Sequence, residues 1–478
     1  MSTRGKKFSL VMVANTLPVR RILRKGHETW ETSPGGLVSA LAPITREMGG
    51  AWVGWTGERD SQTGPFVHDG IFNIPVSISM SEYADFYEGA CNRTLWPLYH
   101  QAVLPPEYHR HWWRSYEQVN RRFADAAADA ADVGAVVWVH DYHLQLVPAM
   151  LRAVRPDLKL GFFLHTPCPS PDLLARLPWR EEVLDGVLSA DVLGLQTRTC
   201  VGNLLESARR QNVLGGYGFD RRGATGGRLN YKGRSVRIDA FPISIEFDRF
   251  DAAAREPDIA KRTEYFHKTL GAGRKLILGV DRLDYTKGID LRLKAYQELL
   301  RSGMSTVRES VLVQIAVPSR ERIKEYRVLR RQVEELVGQI NGEHGEIGVA
   351  AVHYLRRNLP FHELIAMYRA ADVMLVTPLA DGMNLVAKEY VAARVEGTGV
   401  LVLSEFAGAA AELSSAILVN PYDVDGVAEG MRDALEMTPG EAATRMQAMR
   451  DVVRRHTVHD WARGFLAELK GKAIAASR

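Results

Sequence analysis

The chain has 478 residues, 46% hydrophobic and 25% charged, an ordinary globular composition that at roughly 150 residues per domain suggests two to four domains. Lys+Arg 61 against Asp+Glu 57 leaves a net charge of +4 spread along the chain, which argues against a dedicated nucleic-acid binder but not against pockets for small anions. Cys91, Cys168 and Cys200 are too few and too scattered for a disulfide framework or a zinc site, so a reducing interior is expected.

The N-terminus has a basic start, but its apolar run is short and meets Asn15, Thr16 and Pro18. It reads as a first buried strand and not as a signal peptide. No run of about 18 apolar residues, the length that spans a bilayer, occurs, so a soluble, cytoplasmic protein without a membrane partner is expected.

Short apolar runs alternate with helical patterns, the signature of an α/β chain with parallel sheets. Buried strands are predicted at 9–14, 135–140, 158–164 and 192–196, then at 275–280, 310–316, 349–354, 373–376 and 400–404. Amphipathic helices are predicted at 37–48, 144–154, 256–267, 289–302, 321–341, 361–369 and 457–469. The two series imply two Rossmann-like halves, 1–245 and 246–455. The Gly- and Arg-rich stretch 215–232 reads as a hairpin or surface loop, and residues 456–478 as a C-terminal helix that crosses back to the first half.

Several chemistries are missing. There is no GxxxxGK[ST] loop, His362-Glu-Leu-Ile-Ala366 lacks the second histidine of HExxH, and no GxGxxG opens a helix after a strand. One Asp-x-Asp occurs, Asp423-Val-Asp425. Such a pair can hold a metal that carries a nucleotide diphosphate, but a turn with Asp425 capping the next helix is the favoured reading. No metal site is expected, which leaves phosphate to cationic side chains and helix N-termini.

The strongest constellation is Gly279-Val-Asp-Arg-Leu-Asp-Tyr-Thr-Lys-Gly288. A strand ends and a helix begins there, which puts Arg282 and Lys287 at the carboxyl edge of a parallel sheet, where such sheets bind ligands. Arg offers a planar fork for phosphate oxygens and Lys a point charge, so together they could neutralise a leaving diphosphate. The plainer alternative is a local Arg282–Asp284 ion pair with Lys287 solvated at the helix start. Next, Thr377-Pro-Leu-Ala-Asp-Gly-Met-Asn-Leu-Val-Ala-Lys-Glu-Tyr390 places a tight turn at 381–385 before a helix, a ready anion site. Glu389 shares a helix face with Leu385 and could accept from a ribose diol, or be an exposed residue paired with a lysine. In the first half, Trp138-Val-His-Asp-Tyr-His143 and Phe162-Phe-Leu-His-Thr-Pro-Cys-Pro-Ser-Pro171 follow strands, so Asp141 and His165 fall at sheet edges. Ser33-Pro-Gly-Gly36 is a loop whose backbone could approach a phosphate, or simply the lead-in to the next helix.

In order, the segments SPGGLVSAL, TLWPLYH, VWVHDYHLQLVP, FFLHTPCPSP, LPWREEVLDGVL, GVDRLDYTKGI, VQIAVPSR and DGMNLVAKEY resemble glycosyltransferase family 20 over nearly the whole chain. The resemblance implies the GT-B architecture, two facing Rossmann-like domains with the active site in the cleft between them. It implies a retaining, metal-independent transfer of glucose from UDP- or GDP-glucose to glucose 6-phosphate, giving α,α-trehalose 6-phosphate, with no cofactor. By the same resemblance Arg282 and Lys287 hold the donor diphosphate. Asp381, Gly382, Met383, Asn384 and Leu385 hold the glucosyl ring and phosphates, and Glu389 the ribose. His165 contacts the donor sugar, Asp141 the acceptor hydroxyls, and Tyr87, Trp96 and Arg320 the acceptor phosphate. The Gly35–Gly36 loop closes over the donor.

Two positions depart from the family. Thr16 stands where an acceptor-phosphate arginine is usual, so Arg20, Arg21 or Arg24 compensates, or acceptor affinity is weaker, or the acceptor differs. Ala380 stands where an arginine precedes the Asp-Gly-Met-Asn run. With Asn358 offering an amide to the base, the smaller residue points to GDP-glucose as well as, or instead of, UDP-glucose. A family member using another acceptor such as a cyclitol phosphate, and a non-catalytic sugar-phosphate sensor, are the alternatives. A homo-oligomer is possible, and a separate phosphatase is expected to act on the product.

Overall fold

Aliphatic runs such as Leu276-Ile-Leu-Gly-Val280 are buried on both faces, as strands in a parallel sheet covered by helices must be. The computed structural model describes residues 6–24, 27–33, 36–210, 219–220 and 226–471. Two units are present: Met1–Ile243 together with Val458–Arg478, and Ser244–Thr457.

The second unit holds a six-stranded parallel sheet in the order Val352–Leu355, Ser310–Val317, Lys275–Arg282, Val373–Val376, Val400–Ser404, Ile417–Val419. In chain order this is 3-2-1-4-5-6, the doubly wound Rossmann arrangement. Its topological switch point lies between Lys275–Arg282 and Val373–Val376. The helix Val424–Glu436 is capped by Asp423, whose carboxylate accepts from Gly426 N at 3.0 Å. Asp425, the cap expected from the sequence, lies in the first turn instead. The cap belongs to Asp423 because only a residue with extended backbone just outside the helix can fold its side chain back onto the first N–H groups.

The first unit has a ten-stranded sheet with a parallel centre and antiparallel edges. Its parallel strands run Arg234–Ala240, Val192–Leu195, Lys159–Phe163, Ala131–His140, Phe8–Thr16, Ala51–Trp55, Ile71–Pro75. Its switch point separates Phe8–Thr16 from Ala131–His140. The helix Val458–Leu469 packs on this sheet, with Phe465 stacked on Trp138 at 4.4 Å. Two glycines make room for it: a Cβ at Gly161 would sit 2.7 Å, and one at Gly194 2.8 Å, from the Phe465 ring.

Ala51–Trp55 and Ile71–Pro75 are sheet strands beyond those expected from the sequence. Of the hairpin or surface loop expected within 215–232, a hairpin forms, Gly226–Tyr231 pairing with Arg234–Ala240, and most of the remainder lies outside the described residues. Tyr83–Leu95, which carries Tyr87, is a π-helix of 13 residues, a form that usually marks a functional site. Among the described residues no helix is long and apolar enough to cross a membrane, and no group of three or more His, Cys, Asp or Glu is arranged to hold a metal ion.

Candidate active site

In the second unit, the chain leaves Lys275–Arg282 at the switch point and makes a single 3-10 turn, Tyr285–Lys287, before the helix Ile289–Arg301. Asp284 caps that turn, accepting from Thr286 N at 3.0 Å. Gly288 then takes a left-handed φ of 61° with a Cβ position 2.8 Å from Thr377 O, a place open only to glycine. Asp284 is fully buried and also accepts from Arg320 at 3.1 Å and from the Tyr326 hydroxyl at 3.0 Å. Burial pushes its carboxyl up, but Arg320 and then Arg282 overcome this and hold it below the ordinary value. Lys287 reaches across the switch point to Asp381, Nζ to Oδ2 2.5 Å, with 11% and 14% of the two side chains exposed. Asp381 also accepts from Asn384 Nδ2 at 3.0 Å. Lys287 is therefore not a solvated helix start, and Asp284 is bonded to Arg320 and also feels the charge of Arg282, which stands at an exposed position.

The Asp381–Leu385 turn ends in the helix Leu385–Ala393, whose cap Asn384 stands at φ 75° and accepts from Ala387 N. By helix geometry its first N–H groups lack intrahelical acceptors. Gly382 and Met383, within the turn, are buried. Glu389 accepts from the Tyr368 hydroxyl at 2.9 Å, and burial raises its carboxyl above the usual value. The lysine beside it, Lys388, turns inward to Glu412 at 2.6 Å instead. Below the turn lies Arg292, 1% exposed. It donates to Asp281, to Thr377 Oγ1 at 2.9 Å, to Gln314 Oε1 at 3.0 Å and to Lys287 O at 3.4 Å. One guanidinium thus ties three adjacent strands to the turn that carries Lys287. Sequence reasoning missed it, although a charged residue in the apolar stripe Ile289, Leu293, Tyr296, Leu300 was the signal.

In the first unit, Asp141 follows Ala131–His140 at φ 72°. Its Oδ1 accepts from His165 N at 3.1 Å and Thr166 N at 3.3 Å, so it locks the next strand end beside it. His143 lies 4.0 Å from its Oδ2, and Tyr87 stacks on His143 at 6.2 Å. Trp96 is buried in the core against His100 at 3.9 Å and Tyr142 at 5.6 Å, supporting this corner from behind. His165 packs on Phe163 and meets His140, ring nitrogen to ring nitrogen 3.2 Å. Asp141, Arg320 and Asn384 all hold left-handed backbone, a strained state that persists where surroundings over-determine it, characteristically at functional sites. Gly35 lies outside the described residues, and Gly36 begins the helix Gly36–Glu47.

The chain matches the model of glycosyltransferase family 20 over residues 8–471. It belongs to glycosyltransferase family 20. It is 52% identical over 469 residues to the trehalose-6-phosphate synthase of Mycobacterium avium, covering 96% of this chain and 94% of that protein. With that of Mycobacterium tuberculosis it shares 50% over 476 residues, again 96% and 94% of the two chains. In fold it is similar to a UDP-forming alpha,alpha-trehalose-phosphate synthase from Burkholderia xenovorans in complex with glucose-6-phosphate (TM-score 0.88, 33% identity, 97% of this chain and 100% of that one). It is likewise similar to an E. coli structure bound with UDP-2-fluoro glucose (TM-score 0.87, 32% identity, 97% and 99%). Two Rossmann-like units on parallel sheets are the GT-B fold of this family.

Two arginines that could replace the family's cation at Thr16 are already engaged: Arg20 with Glu31 at 3.1 Å, and Arg21 with Glu58. The Arg24 side chain lies outside the described residues. Burial lowers His165 to about 3 and His140 well below its ordinary value. Between pH 3 and 6.5 the unfolded chain therefore binds protons that the folded family 20 enzyme does not, and stability falls as pH falls through that window. Urea unfolding should show lower stability at pH 5.5 than at pH 7.5, by up to about 1.4 kcal/mol per pH unit for each imidazole. His165→Asn should flatten that slope, and an unchanged slope would contradict the buried neutral state.

Proposed function

We propose that this family 20 enzyme transfers glucose from a nucleoside-diphosphate glucose to glucose 6-phosphate with retention, giving α,α-trehalose 6-phosphate and a nucleoside diphosphate. One observation carries the reading. Arg282, Lys287 and Arg320 gather around buried Asp284 and Asp381 at the switch point of a parallel sheet, in a chain 50% identical to a protein named trehalose-6-phosphate synthase. Arginine and lysine together at such a corner suit a phosphate.

On donor binding, Lys287 exchanges Asp381 for a phosphate oxygen, and with Arg282 it neutralises the diphosphate as its bond to glucosyl C1 breaks. That is the charge stabilisation a metal ion supplies in other transferases, so the reaction needs no metal and no cofactor. Asp381 and the 382–385 turn hold the sugar and phosphates, Glu389 the ribose, and the Gly35–Gly36 loop covers the donor. His165 meets the donor sugar. Asp141 and Tyr87, with Trp96 behind them, orient glucose 6-phosphate, and Arg320 takes its phosphate. The acceptor C1 hydroxyl attacks the face that the diphosphate leaves, and its proton passes to the departing phosphate oxygen, so no protein nucleophile takes part. Ala380 stands where the family has a long cation, and the smaller side chain favours a larger base, so GDP-glucose serves as well as, or instead of, UDP-glucose. The product keeps its phosphate, which a separate phosphatase would remove.

Proton NMR of the product mixture tests this. Either donor with glucose 6-phosphate should yield a disaccharide phosphate with both anomeric protons in the α configuration. A β-linked product, or none from either donor, overturns the reading, and a strong preference for UDP-glucose removes the purine assignment alone.

A further inference from the structure

We propose that His140 is a positioning residue whose Nδ1–H donates to His165 Nε2, holding His165 as the tautomer that carries its own proton on Nδ1. The inference rests on the reading that His165 meets the donor sugar, and says which ring atom it offers.

The two imidazoles come from adjacent strand ends, His140 closing Ala131–His140 and His165 following Lys159–Phe163, and they approach at 3.2 Å between Nδ1 and Nε2. Both rings are neutral, since burial penalises the charged form of each, so the contact contains one proton shared by two nitrogens. The far side of His140 decides which ring supplies it. His140 is 0% exposed, and its Nε2 is enclosed without a hydrogen-bond partner among the described residues. A proton on Nε2 would be a buried N–H with no acceptor, which folded proteins avoid more strictly than a bare lone pair. The ring packed on it, Trp138, and Trp461 beyond that ring have enclosed Nε1 atoms that are donors and offer no acceptor. The proton of His140 therefore sits on Nδ1 and points at His165 Nε2, which accepts. The remaining proton of neutral His165 is on Nδ1, the nitrogen left to face a ligand.

The consequence is chemical. His165 presents an N–H donor, so it binds a sugar oxygen as acceptor and does not act as a base. Phe163 at 4.6 Å and Trp461 at 6.1 Å hold the ring in place, and the Trp138–Phe465 stack backs His140. Removing the His140 donor frees His165 to adopt the other tautomer, and a misplaced binding group lowers the rate more than it lowers affinity.

Two-bond proton–nitrogen NMR on the full-length, histidine-labelled protein, with the His165 signal assigned by its loss in His165→Asn, reads the tautomer directly. Wild type should show the Nδ1–H form of His165. His140→Leu should lose it and lower kcat by roughly 10- to 100-fold, with a smaller change in the KM for donor. His140→Asn, whose amide N–H replaces Nδ1–H, should restore both. An Nε2–H signal in wild type overturns the proposal, as does wild-type kcat in a folded His140→Leu protein. The spectrum needs no turnover, so a protein inert toward both nucleotide sugars would contradict the functional reading while leaving the tautomer assignment to stand or fall by itself.

Discussion

Lys287→Ala should lower kcat by roughly 100- to 1,000-fold, the loss that follows removal of one preorganised charge from a developing oxyanion. Lys287 is nearly enclosed, so its charge acts in a medium where it is worth more than in water. It is held at the switch point by a 2.5 Å contact with Asp381, the partner that it exchanges for a phosphate oxygen on donor binding. The fold should survive, because Asp381 keeps Asn384 and the 3-10 turn is capped by Asp284 and not by the lysine. Arg282→Ala, at an exposed position, should show the same direction with only a small fall in melting temperature, because Arg320 stays bonded to Asp284. Steady-state kinetics with saturating donor and acceptor, beside thermal unfolding, check both, and wild-type kcat in either variant would remove that residue from the chemistry.

The second large effect is on stability. Arg292→Met should cost roughly 3–5 kcal/mol, the range for breaking a buried ion pair from one side. The substitution strands Asp281 and removes the donor to Gln314 Oε1 and Thr377 Oγ1, all of them buried. Asp281 is already raised by burial against the pull of Arg292, so without the arginine it would fold protonated. Adding Asp281→Asn should recover part of the loss, because the two residues act as one unit. Urea unfolding of the single and double variants measures this, and a cost below about 1 kcal/mol for Arg292→Met would contradict the keystone role. Because Arg292 also holds the Lys287 carbonyl, turnover should fall in whatever protein remains folded.

Much of the frame was legible from residue order. Buried strands announce themselves by apolar runs, and the residues just after them fall at sheet edges by geometry, so Arg282, Asp381, Asp141 and His165 were placed without coordinates. What could not be read is what depends on distant partners. Arg292 looks like one polar residue in an amphipathic helix until Thr377, 85 positions away, is brought against it. Asp284 reads as the neighbour of Arg282, but the fold delivers Arg320 and Tyr326 to it. His140 ends its strand as an ordinary buried histidine, and only the register of Ala131–His140 against Lys159–Phe163 sets it beside His165. The interior strands Ala51–Trp55 and Ile71–Pro75 were missed because Trp, Gly, Asn and Pro interrupt their apolar runs. Asp423 and Asp425 were confused because a cap is chosen by backbone angle, which two aspartates two residues apart do not reveal.

In the proposed mechanism, cationic side chains alone stabilise the departing diphosphate. Nucleoside diphosphate release from UDP-glucose and GDP-glucose, with and without glucose 6-phosphate and in excess chelator, tests it most directly. Release that requires glucose 6-phosphate, persists under chelation and collapses in Lys287→Ala is the expected result. Release that stops on chelation and returns with a divalent cation would contradict it.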